Sequence, residues 1–173
     1  KAVGHRIENW PGDALKGGGL YRRWLQFRRD AISGLVEKAA LRLKDLRPGL
    51  KLSAAVFSDP DTARITVAQP WDRWCGKGYL DFVCPMNYTP NPALFEKLTR
   101  AQKAYTHNTP LYPGIGVSTW QADDPLYFMC EHIQTARRLQ TGGFAVFQYD
   151  PPAAERILPL CGLGITRPGS SNQ

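Results

Sequence analysis

The sequence is poor in the residues that build reactive centres. Its four cysteines (Cys75, Cys84, Cys130 and Cys161) are scattered and form no CxxC pair, so they read as buried free thiols and no metal ligation by them is expected. Of three histidines, His5 and His107 fall in loop-like stretches, and His132 has no second ligand four residues on. No zinc site is expected. No G-x-G-x-x-G run leads from a strand into a helix; "GIGVSTW" supplies only the first two glycines, which argues against a dinucleotide fold. No Ser-His-Asp set is visible. Neither a cofactor nor a metal is therefore expected. The apolar runs are strand-sized, so no transmembrane segment is expected, and the first residues do not pair a basic stretch with an apolar one as a secretory leader would.

What is present suits a globular core. The 173 residues fit one domain, and 43% are hydrophobic and 11% aromatic. The net charge of +7 is local: residues 1–51 hold twelve Lys/Arg against five Asp/Glu, and residues 52–173 hold ten of each. The excess sits on one helix-like stretch. It lacks the interleaved basic and aromatic residues of a nucleic-acid groove, so no nucleic-acid partner is expected. A solvated helix face explains it, with docking on an anionic polymer as the rival reading.

Along the chain, helix-like and strand-like stretches alternate. Residues 20–46 carry Leu20, Trp24, Phe27, Ala31, Leu35, Ala39, Leu43 and Leu46 at helical spacing, and Pro48-Gly49 ends the run. "KLSAAVF", "YLDFVCPM", "PLYPGIGVS" and "GFAVFQY" read as strands. The first is followed by the polar loop "SDPDTAR" and the short helix "QPWDRWCGKG". The second leads to the helix "NPALFEKLTRAQKAY", and the third to "DDPLYFMCEHIQTARRLQ", with Asp123 or Asp124 as cap. "AAERILPLC" makes a last helix.

The strands begin about thirty residues apart and are apolar throughout, as parallel strands covered on both faces are. Repeated βα units leave a small doubly wound sheet or part of a (β/α)8 TIM-type barrel, and the missing phosphate fingerprint favours the barrel. Four units are half of one. Residues 1–166 are therefore expected to be the C-terminal half-barrel of a longer protein, or to pair with a second half, with 167–173 as a polar tail.

Barrel chemistry sits where strands end. Those ends offer Asp59; Met86, Asn87 and Tyr88; Trp120; and Gln148, Tyr149 and Asp150. Aromatic faces with amides and hydroxyls make a sugar-binding inventory. Asp59 and Asp150 are the placed carboxylates. Asp61, Asp123 and Asp124 read as loop or cap residues, and Asp81 as lying at the opposite end. Gln69 is a further candidate for the pocket, and of Trp71 and Trp74, three apart on a short helix, at least Trp74 reads as packing.

Five stretches also look familiar in order: "WLQFRRDAI", "QPWDRWCGKGYLDFVCPMNYT", "PLYPGIG", "GGFAVFQYD" and "LPLCGLGIT". Together they resemble the C-terminal half of the glycosyl hydrolase-like family 10 proteins, which are bacterial (β/α)8 barrels. That resemblance implies hydrolysis of a cell-envelope glycan of the N-acetylated, peptidoglycan type, in a protein that is secreted, periplasmic or lipid-anchored. The "PM-x-Y" strand end is similar to a chitinase-like one, which implies that Tyr88 faces the substrate's N-acetyl group. The acidic stretch that the family carries at the end of its fourth strand is absent here. Asp59 and Tyr88 are then the catalytic candidates of this segment, and Met86, Asn87, Trp120, Gln148, Tyr149 and Asp150 its substrate wall. Most of the acid chemistry is expected from the N-terminal half of the barrel. A non-catalytic carbohydrate-binding barrel is the alternative.

Overall fold

The computed structural model describes residues 4–117 and 124–166. The 26-residue helix α1, Tyr21–Leu46, precedes strand β1, Ser53–Val56. Two short helices follow, α2 (Pro60–Thr66) and α3 (Trp71–Gly76), then β2, Phe82–Pro85. Helix α4 (Pro92–Gln102) leads to β3, Gly114–Gly116, and α5 (Pro125–Arg138) to β4, Ala145–Phe147. A π-helical turn, Ala153–Ile157, runs into α6, Leu158–Leu163.

All pairing between these strands is parallel. Ser53 to Val56 of β1 lie opposite Phe82 to Pro85 of β2, and Gly114 to Gly116 of β3 opposite Ala145 to Phe147 of β4. Among the described residues a single parallel bridge, Val83 with Leu111, joins the two ladders. Around it the Val83 amide donates to the Pro110 carbonyl, and the Tyr112 amide donates to the Val83 carbonyl. The strands therefore lie side by side in chain order, β1-β2-β3-β4.

The helices pack on one face of this array. Val56, Val83 and Leu111 meet Trp71, Trp74 and Cys75 of α3, with Ile32 and Val36 of α1 against them. Ile115 and Val117 meet Phe95 of α4, Met129 and Ile133 of α5, and Cys161 of α6. Trp74 is in this core, as its place on the short helix suggests, and so is Trp71. The Trp74 indole donates to Ser33 Oγ of α1 at 2.9 Å, so its one polar atom is satisfied.

Two details differ from the sequence reading. The stretch taken as a polar loop after β1 contains α2, because Asp59 caps it and Pro60 fills its first turn. In α1 the apolar stripe expected from the sequence is packed only in part, with Trp24 stacked on Phe27. Leu35 is 69% exposed and Leu46 60%, whereas Ala40 is buried and Ile32 and Val36 touch the core. The helix carries two apolar lines, and only the second rests on the sheet. None of its seven Lys and Arg side chains forms an ion pair among the described residues.

All four cysteines are free. Burial pushes the Cys75 thiol up to about 11, so it behaves as packing rather than as a nucleophile. Among the described residues no helix is long and apolar enough to cross a membrane.

Candidate functional site

Alternation along the strands sends Phe82, Cys84, Met86 and Tyr88 to the face that the helices leave uncovered. Two aromatic pairs occupy that face. Phe82 stacks on Tyr112 with ring centres 4.7 Å apart, and Tyr88 stacks on Phe147 at 5.1 Å with only 15° between the planes. Phe57 and Phe147 are each 43% exposed, and Tyr149 is 82% exposed. The C-terminal edge of the sheet thus ends in an open aromatic surface.

Gly114 makes room for it. A Cβ there would come within 3.0 Å of Tyr88 Cε1 and 2.9 Å of the Pro85 carbonyl oxygen, so the ring lies directly over the glycine backbone. Among the described residues the Tyr88 hydroxyl has no hydrogen-bond partner. Burial, and after it the neighbouring Cys84 thiol, push its pKa up, which keeps the hydroxyl protonated and able to donate. Met86 is half-buried on the same face, and its amide extends the β1–β2 ladder by donating to the Val56 carbonyl at 2.9 Å.

Asn87 points the other way. It is 1% exposed, and its amide group is taken up inside the protein. Its Nδ2 donates to Thr99 Oγ1 at 3.2 Å and to Gln102 Oε1 at 3.0 Å. Gln102 Nε2 returns a bond to Asn87 Oδ1 at 2.7 Å and donates to the Ser58 carbonyl at 2.8 Å. The substrate contact expected of Asn87 is replaced by a place in the α4 layer. Period-two alternation explains the outcome, since Tyr88 and Asn87 cannot share a face.

The two carboxylates expected at the strand ends are both helix caps. Asp59 Oδ1 accepts from the Thr62 amide at 2.7 Å. The Thr62 hydroxyl, and after it that amide, hold the Asp59 carboxyl below its usual range. An acid so held is ionised at neutral pH and is a poor proton donor. Asp150 Oδ1 accepts from the Ala153 amide at 2.9 Å, and its Oδ2 accepts from Gln148 Nε2 at 3.3 Å. Gln148 and Tyr149 are exposed beyond β4, so they lie at the strand mouth, and the peptide joining Phe147 to Gln148 is cis. Trp120 lies outside the described residues, as does Asp123. Asp124 caps α5 by accepting from the Tyr127 amide at 2.9 Å.

Gln69 does not enter the pocket. Its Oε1 accepts from the Phe57 amide at 3.0 Å, while the Trp71 indole donates to the Phe57 carbonyl at 3.2 Å. Phe57 is held from both sides. Asp81 sits at the opposite end of the sheet, accepting from the Leu52 amide at 2.7 Å. A cavity of about 420 Å³ opens at that end, beside Leu80, Asp81, His107 and Thr109. Another of about 390 Å³ lies past the C-terminal end of β3, walled by Val117, Leu126, Ala153 and Ile157, with Asp124 and Arg156 also lining it. Among the described residues no group of three or more His, Cys, Asp or Glu could hold a metal ion.

Gln102 is the residue that sequence reasoning missed. It sits seven positions after Phe95 and three after Thr99, on the buried face of α4. A glutamine on the apolar side of an amphipathic helix was the signal that could have found it.

No family model, curated protein or solved structure matches this chain.

Proposed function

We propose that this chain forms the substrate wall of a glycoside hydrolase-like (β/α)8 barrel acting on an N-acetylated glycan of the bacterial cell envelope. The observation that carries the reading is the Tyr88–Phe147 stack, which lies over Gly114 on the open face at the C-terminal strand edge. Flat aromatic rings suit the apolar faces of sugar rings, and the protonated Tyr88 hydroxyl suits an amide carbonyl such as that of an N-acetyl group. Four parallel strands in chain order, the described helices on one face, and the exposed apolar line of α1 with Leu35 and Leu46 all favour a half-barrel. The missing partner would be the N-terminal half of the same barrel, whose strands would cover the open face below the site. Secretion, or attachment at the cell envelope, goes with this reading.

The division of labour follows from the caps. Glycoside hydrolysis generally uses two carboxyl groups, and here Asp59 and Asp150 are both committed to helix starts. The principal acid then comes from the other half, with Tyr88 orienting the substrate. The same commitment favours a second reading, a carbohydrate-binding barrel without catalysis.

The test compares this chain with a version extended by the upstream βα units, on peptide-stripped peptidoglycan glycans, with products read by mass spectrometry. Cleavage by the extended chain alone supports the enzyme. Binding without cleavage by either supports the binding barrel, and neither binding nor cleavage removes the glycan reading. In the active form, Tyr88→Phe should weaken turnover or binding at unchanged thermal stability.

A further inference from the structure

The pairing of Asn87 with Gln102 asks for more than a packing explanation. The core-facing residues of α4 are Phe95, Thr99 and Gln102, and apolar side chains at the last two positions would fill the space at no polar cost. A buried amide is costly unless every donor and acceptor is matched. Here the match is reciprocal: each amide donates to the other, at 3.0 Å and 2.7 Å. Thr99 accepts the second Asn87 hydrogen and passes its own to the Phe95 carbonyl at 2.8 Å. The second Gln102 hydrogen reaches the Ser58 carbonyl.

One NH2 group on α4 therefore holds the ends of two strands. Ser58 follows Phe57 just beyond β1, and Asn87 precedes Tyr88 just beyond β2. Past Met86 the chain has also left the ladder, with the Asn87 amide bonded to the Pro85 carbonyl and the Thr89 amide to the Asn87 carbonyl. With those tight turns, the inward anchor of Asn87 fixes how far Tyr88 projects on the opposite face.

We infer that Gln102 and Asn87 are positioning residues, a buried clasp that sets the spacing of Phe57 and Tyr88 and holds Tyr88 against Phe147. The inference rests on the glycan reading for what the aromatic surface binds, but not for the geometry it claims. The clasp acts through Tyr88 and touches no ligand. A matched polar pair has one satisfactory arrangement where an apolar pair has several, which is how buried amides fix register.

The test uses Asn87→Leu/Gln102→Met, which replaces both partners by apolar groups of similar size and so leaves neither amide orphaned. Tyrosine-ring labelling reports the shift that the Phe147 ring imposes on Tyr88, with the Tyr88→Phe protein assigning the signal. Affinity for N-acetylchitotetraose is measured alongside. The expected result is a folded protein in which the Tyr88 shift collapses and affinity falls about tenfold or more, as misplacement at a site costs. A folded variant that keeps both overturns the inference. If the unaltered chain binds no tetraose, the glycan reading fails, and the Tyr88 shift alone decides on the clasp. If the double variant does not fold, Gln102→Met is read in the same way. Loss of the fold in both overturns the inference, because the network would then be holding the core rather than aiming the site.

Discussion

On the helix side of the sheet Val56, Val83 and Ile115 are sealed from solvent, while across the same strands Phe57 and Phe147 keep 43% of their surface exposed. Both faces are apolar, as both faces of a parallel strand are expected to be. They differ in what lies above them. On the first, three-dimensional packing determines every neighbour. On the second, flat rings meet in pairs and leave the edge open, and exposed aromatic surface of that kind marks a place where something else docks. The contrast teaches that composition alone does not separate core from site, because the same residue types serve both.

The sharpest way to break the contrast is to cut one aromatic on each side. Phe95→Ala removes a fully buried ring from the second core cluster, and the expected loss is about 3–5 kcal/mol of unfolding free energy. Phe147→Ala on the open face should cost less than half as much while abolishing the Tyr88 stack. Denaturant titration of both proteins makes the comparison, and equal losses would mean that the open face is core after all.

Acid sharpens it next. His132 is buried on the helix side and stacks on Phe95 with ring centres 4.1 Å apart. Burial pushes its pKa down from 6.5 to about 4. The folded state then binds fewer protons than the unfolded one between those values, so stability falls as pH drops from about 6.5 towards 4 and is intact above 6.5. Unfolding midpoints measured across that window should decline in the parent chain, and the decline should flatten in His132→Gln.

The smallest effect concerns the edge. Asp59→Ala removes the α2 cap and should cost about 1 kcal/mol. Because Asp59 is spent on Thr62, glycan turnover by the extended barrel should be retained. Loss of turnover at unchanged stability would return Asp59 to the catalytic machinery.

How far these differences can be read from the residues depends on the kind of pattern. The strands were visible in their apolar runs, and the α5 cap was narrowed to Asp123 or Asp124 by the proline that follows. The same Asp-Pro signal at Asp59 and Pro60 was overridden by the polarity of the stretch around it, so α2 looked like loop. In α1 the spacing located the helix, but two apolar lines fit its period, and only the neighbouring α3 decides which is buried. Tyr88 stood out because it ends a strand. Asn87 beside it is expected from the sequence in the same substrate wall, and the structure turns it inward, since nothing local fixes the pleat. The clasp joins positions fifteen and forty-four residues apart, Asn87 and Ser58 with Gln102, and no local pattern reaches that far.

The outer edge of β1 has a consequence for the chain as a colloid. Among the described strands β1 pairs only with β2, so the far side of its backbone presents a row of hydrogen-bonding groups to any passing strand. With +7 of formal charge, all of it from the first 51 residues, copies of the chain repel one another before those edges meet. That protection reaches about 10 Å at 0.1 M salt and only about 3 Å at 1 M. The basic segment around α1 thus acts as a spacer that keeps the open edge of β1 from meeting its own copies.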